Sequence, residues 1–301
     1  MILIGENIHV ISNSVRDALI KRDEEFITKL INVQSDMDYI DLNIGPAKNN
    51  LEGIFEWLVP LVEKTELGIS FDTTNILEME KGVKTFHGES FINSTSKDEP
   101  KLSKYTDLAA EYNSNLVALT MSKETGIPKT ADERLEIAFE IYEKCMEKNL
   151  SSEKIYFDPL ILPICVEQSQ GMEALNTIKM IKESFDPAAK TIIGLSNISN
   201  GTPERQLLNR VFAVLAFGSG LDAAIIDACD LELIRIIKML ETKETKYEYD
   251  ELLINLADMA ENFYDIEDIE YNKNSEEQIK IIKAAKILLN KEIYSHSFTQ
   301  I

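Results

Sequence analysis

Basic residues and histidine are scarce in this chain. Its 301 residues carry 31 Lys and Arg against 52 Asp and Glu, with three His, for a formal net charge of −21. Nucleic acids and anionic membrane surfaces select Lys and Arg, so this balance excludes both as partners and leaves small-molecule chemistry or a protein partner. Cysteine is equally sparse. Cys145, Cys165 and Cys229 are odd in number, scattered, and without CxxC or CxH spacing, which excludes a disulfide framework and a zinc site. No apolar run approaches the ~18 residues of a membrane span. The opening "MILIGENIHV" has no basic segment before its short apolar stretch and reads as the first strand of a cytoplasmic protein. Only 12 Gly and 8 Pro, with 44% hydrophobic and 28% charged residues, exclude extended disorder, and the length suffices for one large barrel.

What is present is a rhythm. Short β-rich runs, Ile2–Gly5, Tyr39–Leu42, Gly68–Phe71, Ser90–Ile92, Asn115–Leu119, Lys154–Phe157, Thr191–Gly194 and Ala223–Ile226, recur along the chain. Between them lie segments with apolar residues at helical steps: Ser14–Gln34, Leu51–Lys64, Ala131–Lys148, Glu167–Glu183 and Pro203–Phe217. Eight such units predict an α/β fold, a TIM (β/α)8 barrel forming a single domain over 1–301. One region breaks the rhythm. Residues 241–280 hold thirteen Asp and Glu against four Lys, and "DELLINLADMAENFYDIE" has helical spacing. We read it as an acidic, solvated helical insertion, with the last barrel helix resuming at Gln278–Asn290; a docking surface or dimer element is the alternative.

A barrel builds its active site where strands end and βα loops begin. The polar clusters following the predicted strands are "GENIHV", "DLNIGPA", "DTTN", "NSTS", "TMSKETGIPK", "DPLILP", "SNISNG" and "DACD". Any one of them suits a helix N-cap. Eight in succession, several with Asp or Asn at or near the strand end, exceed what capping needs. Asp72, Asn93, Asp158 and Asn197 are predicted to converge in one mouth. A metal would recruit histidine, and His9, His87 and His296 form no ligand-like pair, so no metal is expected.

"GENIHV", "DLNIGPA", "EWLV", "DTTN", "INSTS", "GIPK", "DPLILP", "GLSNIS", "LLNR" and "DAAIIDACD", followed by "AAKILLNKEIYSHSF", resemble the methyltetrahydrofolate:corrinoid/iron-sulfur protein methyltransferases of the pterin-binding barrel family. The resemblance runs through nearly all of 1–240, and its barrel is like that of dihydropteroate synthase. It implies 5-methyltetrahydrofolate as substrate, a cobalamin (corrinoid) supplied by a partner protein, and a homodimer. By the same resemblance, Asp72, Asn93 and Asp158 hydrogen-bond the pterin and Asn197 reaches N5. Arg205 lies near the glutamate tail or the opening of the site, and Asn43, Gly45 and Pro46 shape the pocket loop. A pterin presents an amino group and a ring N–H side by side, a donor pair that one carboxylate, here Asp158, accepts together; Asp72 and Asn93 would address the mixed edge. No DxHxxG-type corrinoid motif occurs, and no cysteine cluster is available for a zinc-activated thiol. Two other readings stay open. One is a synthase-like condensing enzyme, for which Lys123, Lys129 and Arg205 supply few cations; the other is a non-catalytic folate-binding or corrinoid-complex scaffold.

Overall fold

The computed structural model describes residues 1–48 and 50–299. Eight strands, β1 (Ile2–His9), β2 (Tyr39–Gly45), β3 (Gly68–Thr73), β4 (Ser90–Thr95), β5 (Asn115–Leu119), β6 (Ile155–Asp158), β7 (Lys190–Gly194) and β8 (Ala223–Ile226), close into a barrel in chain order. Each neighbouring pair is parallel, including the closing pair β1 and β8. The predicted TIM barrel is therefore the fold.

Side chains alternate along each strand, and the inward set includes Ile4, Tyr39, Phe91, Val117, Tyr156, Ile192 and Ala223. Tyr39, Phe91 and Tyr156 pack edge to face at centroid distances of 4.9 and 4.8 Å. This aromatic layer fills the lower half of the barrel with apolar matter. Two residues further along the same strands the inward positions become polar: Glu6 after Ile4, Asp41 and Asn43 after Tyr39, Asn93 after Phe91, Asp158 after Tyr156. The site therefore rests on an apolar floor, at the carboxyl end.

Eleven α-helices lie among the described residues: α1 (Asn13–Lys21), α2 (Glu24–Val33), α3 (Ile54–Val62), α4 (Ile76–Thr85), α5 (Lys101–Tyr112), α6 (Ala131–Glu147), α7 (Ser169–Ser184), α8 (Arg205–Gly218), α9 (Leu231–Thr242), α10 (Asp250–Asn262) and α11 (Glu276–Leu288). The single helix expected over Ser14–Gln34 is two. Arg22 adopts a left-handed conformation at φ 56°, and the Asp23 carboxylate accepts the Phe26 amide to start a new helix. Several strands also run further than predicted. The polar residues expected in the βα loops begin inside the sheet: Glu6, Asn43, Asp72 and Asn93 all lie within strands.

The acidic region also requires a correction. It contains the expected helix, α10, but that helix is not solvated all round: Leu252, Leu253, Leu256, Ala257, Met259 and Ala260 are buried. Asp250, with no exposed surface, receives both arms of the Arg235 guanidinium at 2.7 and 3.0 Å. Gly218, at the end of α8, lies so close to α10 that a Cβ there would come within 2.1 Å of the Ala257 carbonyl oxygen. Backbone cannot yield as a side chain can. Gly218→Ala is expected to lower stability by about 1–3 kcal/mol, the range for overpacking, measured as a shifted urea midpoint; an unchanged midpoint would mean α10 is loosely held.

Candidate functional site

The inward polar residues at the strand ends form one contiguous arc. Asn43, Asp72 and Asn93 are cross-strand neighbours in register. The Asn43 side-chain amide donates to the Asp72 carboxylate, and the Asn43 carbonyl accepts the Gly45 amide at 3.2 Å. Gly45 has φ 55°, a conformation that glycine adopts without strain, and Pro46 is exposed beyond it. Below this layer Asp41 accepts Ser70 Oγ at 2.6 Å and Asn93 Nδ2 at 3.1 Å. Asn93 thus spends a donor downward and keeps its carbonyl oxygen as an acceptor.

Asp158 ends β6. Its Oδ1 accepts the Leu160 amide at 2.8 Å, and Leu160 sits at φ 64°, a costly backbone for a leucine. This turn fixes the carboxylate while Oδ2 remains for a ligand. Arg134, fully buried on α6, donates to the Pro128 carbonyl at 3.1 Å and to Gln170, and its charge is felt at Asp158.

Asn197 lies in a 3-10 turn, Leu195–Ser199, directly after β7. Its Nδ2 is 3.0 Å from where a Cβ on Gly194 would stand. Position 194 continues the inward series of Ile192, so the amide occupies space that any larger residue there would fill. The turn is braced by Arg205, which donates to the Ser196 carbonyl at 3.3 Å, Ser199 Oγ at 3.2 Å and Asn200 Oδ1 at 2.9 Å. Asn200 in turn donates to Asn197 Oδ1 at 3.4 Å.

The structure thus places Asn43, Asp72, Asn93 and Asp158 at the inward strand ends and Asn197 over the end of β7, with Arg205 exposed behind its turn. Sequence reasoning passed over other residues here. Glu6 accepts Ser196 Oγ at 3.1 Å, and Asn7 donates to Asp227 at 2.6 Å while accepting the Ala228 amide at 3.0 Å. The period-two alternation Ile2, Ile4, Glu6 and Tyr39, Asp41, Asn43 was the signal that could have found Glu6 and Asp41. Capping, by contrast, does explain Asn75, which accepts two amides at the start of α4, and Asp230, which caps α9 and pairs with Arg210 at 2.7 Å.

Burial dominates the electrostatics. It pushes Glu6 up to about 7, with the charges of Asp227 and Asp41 adding and the Ser196 hydrogen bond and Arg205 opposing. It pushes Asp158 up to about 6 against the Leu160 amide and Arg134. Asp41 and Asp72 are raised as a pair, first by burial; Asp41 raises Asp72 further, and Lys101 opposes. Lys101 is itself lowered by burial. A carboxyl with a raised folded-state pKa holds a proton that the unfolded chain releases, so its stabilising contribution is present at low pH and lost as pH rises. For Glu6 the window runs from 4.5 to about 7. The ligand-free protein should therefore lose thermal stability as pH is raised through that window, as read by melting curves; a flat or rising profile would contradict the burial.

Two cavities bear on location. One of about 270 Å³ is lined by Glu6, Ser196, Arg205, Asn209 and Asp227 at the carboxyl ends of β1, β7 and β8, and by none of Asn43, Asp72, Asn93, Asp158 and Asn197. A larger one, about 920 Å³, involves Ile2, Met37, Tyr39 and Gly68 at the amino ends of the strands, beyond the aromatic floor. Barrel chemistry belongs to the former end. Among the described residues no three His, Cys, Asp or Glu side chains are grouped to hold a metal ion, and no helix is long and apolar enough to cross a membrane.

With this geometry in place, likeness to known proteins can be weighed. Residues 37–227 match the family described as pterin binding enzymes. The methylcorrinoid:tetrahydrofolate methyltransferase of Eubacterium limosum is 28% identical over 243 residues, covering 79% of this chain and 89% of that protein. The methionine synthase of Mycobacterium leprae is 28% identical over 247 residues, covering 76% of this chain but 20% of that protein. A dihydropteroate synthetase solved with its product superposes at TM-score 0.57 with 13% identity, over 80% of this chain and 94% of that one. A truncated 3-deoxy-D-arabino-heptulosonate 7-phosphate synthase from Thermotoga maritima gives 0.55 with 14% identity, over 81% and 87%. These structural matches speak to the fold alone.

Proposed function

The chain belongs to the pterin-binding enzyme family, and from that premise we propose that it is a methyltransferase moving the N5-methyl group between 5-methyltetrahydrofolate and the cobalt of a corrinoid carried by a partner protein. The observation that carries this reading is the uncharged amide of Asn197 lying over the end of β7, in the same barrel whose β2, β3 and β4 ends bring Asn43, Asp72 and Asn93 into register. The relative matched over most of its own length, named for methylcorrinoid and tetrahydrofolate, supports the same reading.

In this proposal Asp158 takes the donor–donor edge of the pterin, and Asp72 and Asn93 take the mixed edge. Each supplies acceptors whose burial has already been met in the fold, so ligand N–H groups relieve the cost of desolvated carboxylates. The methyl carbon then faces the open mouth, where cob(I) attacks in line. N5 is a poor leaving group unless it is protonated or hydrogen-bonded as the C–N bond stretches. Asn197 donates to the neutral nitrogen, and by turning its oxygen accepts from N5–H, so it serves both charge states. A condensing synthase would need cations for a pyrophosphate leaving group, yet Arg205 is committed to the 196–200 turn. The homodimer implied by the resemblance belongs to the same proposal and is checked by mass in solution.

The test is anaerobic: the protein, methyltetrahydrofolate and free cob(I)alamin are mixed, and conversion to methylcobalamin is followed by absorbance. Conversion above the protein-free control supports the reading. Tight folate binding without transfer, to free or protein-bound corrinoid, would favour a scaffold, and absence of binding would overturn the pterin site.

A further inference from the structure

Glu6 is not among the residues assigned above, yet it is built into the same mouth. It is the third inward residue of β1 after Ile2 and Ile4, and its Oε2 accepts the Ser196 hydroxyl at 3.1 Å. Ser196 immediately precedes Asn197 in the turn, and Glu6 feels the charge of Asp41, the acceptor of Asn93. The cavity of about 270 Å³ that Glu6 and Ser196 line is flanked by α8 and α9 and holds none of Asp72, Asn93, Asp158 and Asn197. The charged groups facing Glu6 come from every side: Asp41 from β2, Asp227 from the end of β8 and Arg205 from α8. Asp230, in the same cavity, is neutralised by Arg210. Asp227 is held by the Asn7 amide and by the Cys229 backbone N–H at 2.9 Å. Among the described residues Arg205 is the cation whose charge acts on Glu6, and its hydrogen bonds go to the turn rather than to the Glu6 carboxylate.

We propose that Glu6 is the proton reservoir of methyl transfer, acting through the Ser196 hydroxyl without itself touching the reacting atoms. The inference rests on the functional reading given above. As a carboxylate, Glu6 accepts the Ser196 hydrogen and keeps it within the Glu6–Ser196 bond. As a carboxylic acid it donates to Ser196 Oγ, and the hydroxyl hydrogen is freed to point at the pterin. The step then balances. The methyl C–N5 bond breaks with its electron pair left on N5, while the electron pair of cob(I) forms the Co–C bond and cobalt passes from Co(I) to Co(III). N5 takes the hydroxyl proton of Ser196, Ser196 takes the proton of Glu6, and Glu6 is left as a carboxylate to be reprotonated by water. In the reverse direction the same proton returns to Glu6. Burial and the neighbouring Asp227 and Asp41 suit it to this, since they hold its proton up to about 7, where both states are populated near neutrality.

The experiment compares wild type with Glu6→Gln, Ser196→Ala and the double variant. Single-turnover methylation of cob(I)alamin is measured at saturating methyltetrahydrofolate across pH values on both sides of 7, with folate affinity titrated in parallel. Wild type should lose rate as pH rises through neutrality. Glu6→Gln keeps the shape and the hydrogen bond to Ser196 but has no proton to give. It should be slower on the order of tenfold on the acid side, below the usual range for direct general acids because water partly substitutes. Its profile should be flat in that window, and its folate affinity unchanged. Ser196→Ala should match it, with the double variant no slower than either single one. Should Glu6→Gln melt below the assay temperature, Glu6→Asp, which retains a titrating group, should keep the pH-dependent limb at reduced amplitude. A Glu6→Gln enzyme with wild-type rate and pH profile, or a double variant whose losses multiply, overturns the relay while leaving the methyltransferase reading intact. A wild type that neither binds folate nor transfers methyl overturns both.

Discussion

Replacing Asn197 by Ala is expected to slow methyl transfer about 10²–10³-fold, the usual cost of removing one preorganised contact to a charge that develops in the transition state, with a much smaller change in folate affinity. The asymmetry follows from the chemistry. In the ground state N5 is a tertiary amine offering one weak acceptor; as the methyl carbon departs, the nitrogen gains charge and the contact strengthens. The change should also be clean. The turn that carries Asn197 is held by Arg205 through the Ser196 carbonyl, Ser199 Oγ and Asn200, and the Asn197 side chain adds only the long contact from Asn200 Nδ2 at 3.4 Å. Single-turnover formation of methylcobalamin, with folate affinity titrated separately, gives both numbers. Equal losses in the two would make Asn197 a binding residue, and an unchanged rate would remove it from catalysis.

Asp158→Asn is expected to act on the other quantity. An amide offers one acceptor and one donor, so opposite a pair of ligand N–H groups it sets donor against donor. Loss of a charge-assisted contact and an unpaired buried donor together cost about 2–3 kcal/mol, roughly a 30- to 150-fold weaker Kd for methyltetrahydrofolate. The turnover of bound substrate should fall far less. The native geometry makes the test specific, because Oδ1 already accepts the Leu160 amide, so the variant's amide oxygen stays on that side and its NH2 is turned toward the ligand. Folate titration checks the prediction, and an unchanged Kd would place the pterin elsewhere.

These two residues were legible from the chain because each sits at the end of a recognisable apolar run, "IYFD" and "TIIGLSN". Glu6 and Asp41 were not read, although they follow the same alternation. A polar residue inside a strand pattern is ordinarily assigned to its outer face or to a loop. Only barrel closure turns the inward face of a strand end into a cavity wall, and β1 therefore continues through Glu6 to His9. The split between α1 and α2 carried its own sign in "RDEE", a cap followed by acidic residues in the first turn. The acidic stretch misled for a different reason. Net charge over 241–280 averages α10 with the loops that flank it, whereas burial depends on one face of the helix, which carries Leu252, Leu253, Leu256, Ala257, Met259 and Ala260.

By itself the sequence determined the architecture and the chemical character of its mouth. Eight apolar runs alternating with amphipathic segments specify parallel βα units, and the Asp and Asn residues at their ends supply acceptors and amides with few cations. Those are local properties, carried by periodicity and residue type. Only the tertiary structure decided which of those polar residues are helix caps and which meet in the barrel mouth. It set Asn197 over the side-chain-free Gly194, linked Glu6 to Ser196 across 190 positions of chain, and raised the carboxyl groups of Glu6 and Asp158 toward neutrality. The physical reason is that proximity and desolvation belong to the closed sheet: no segment creates either alone, and both appear when β8 pairs with β1.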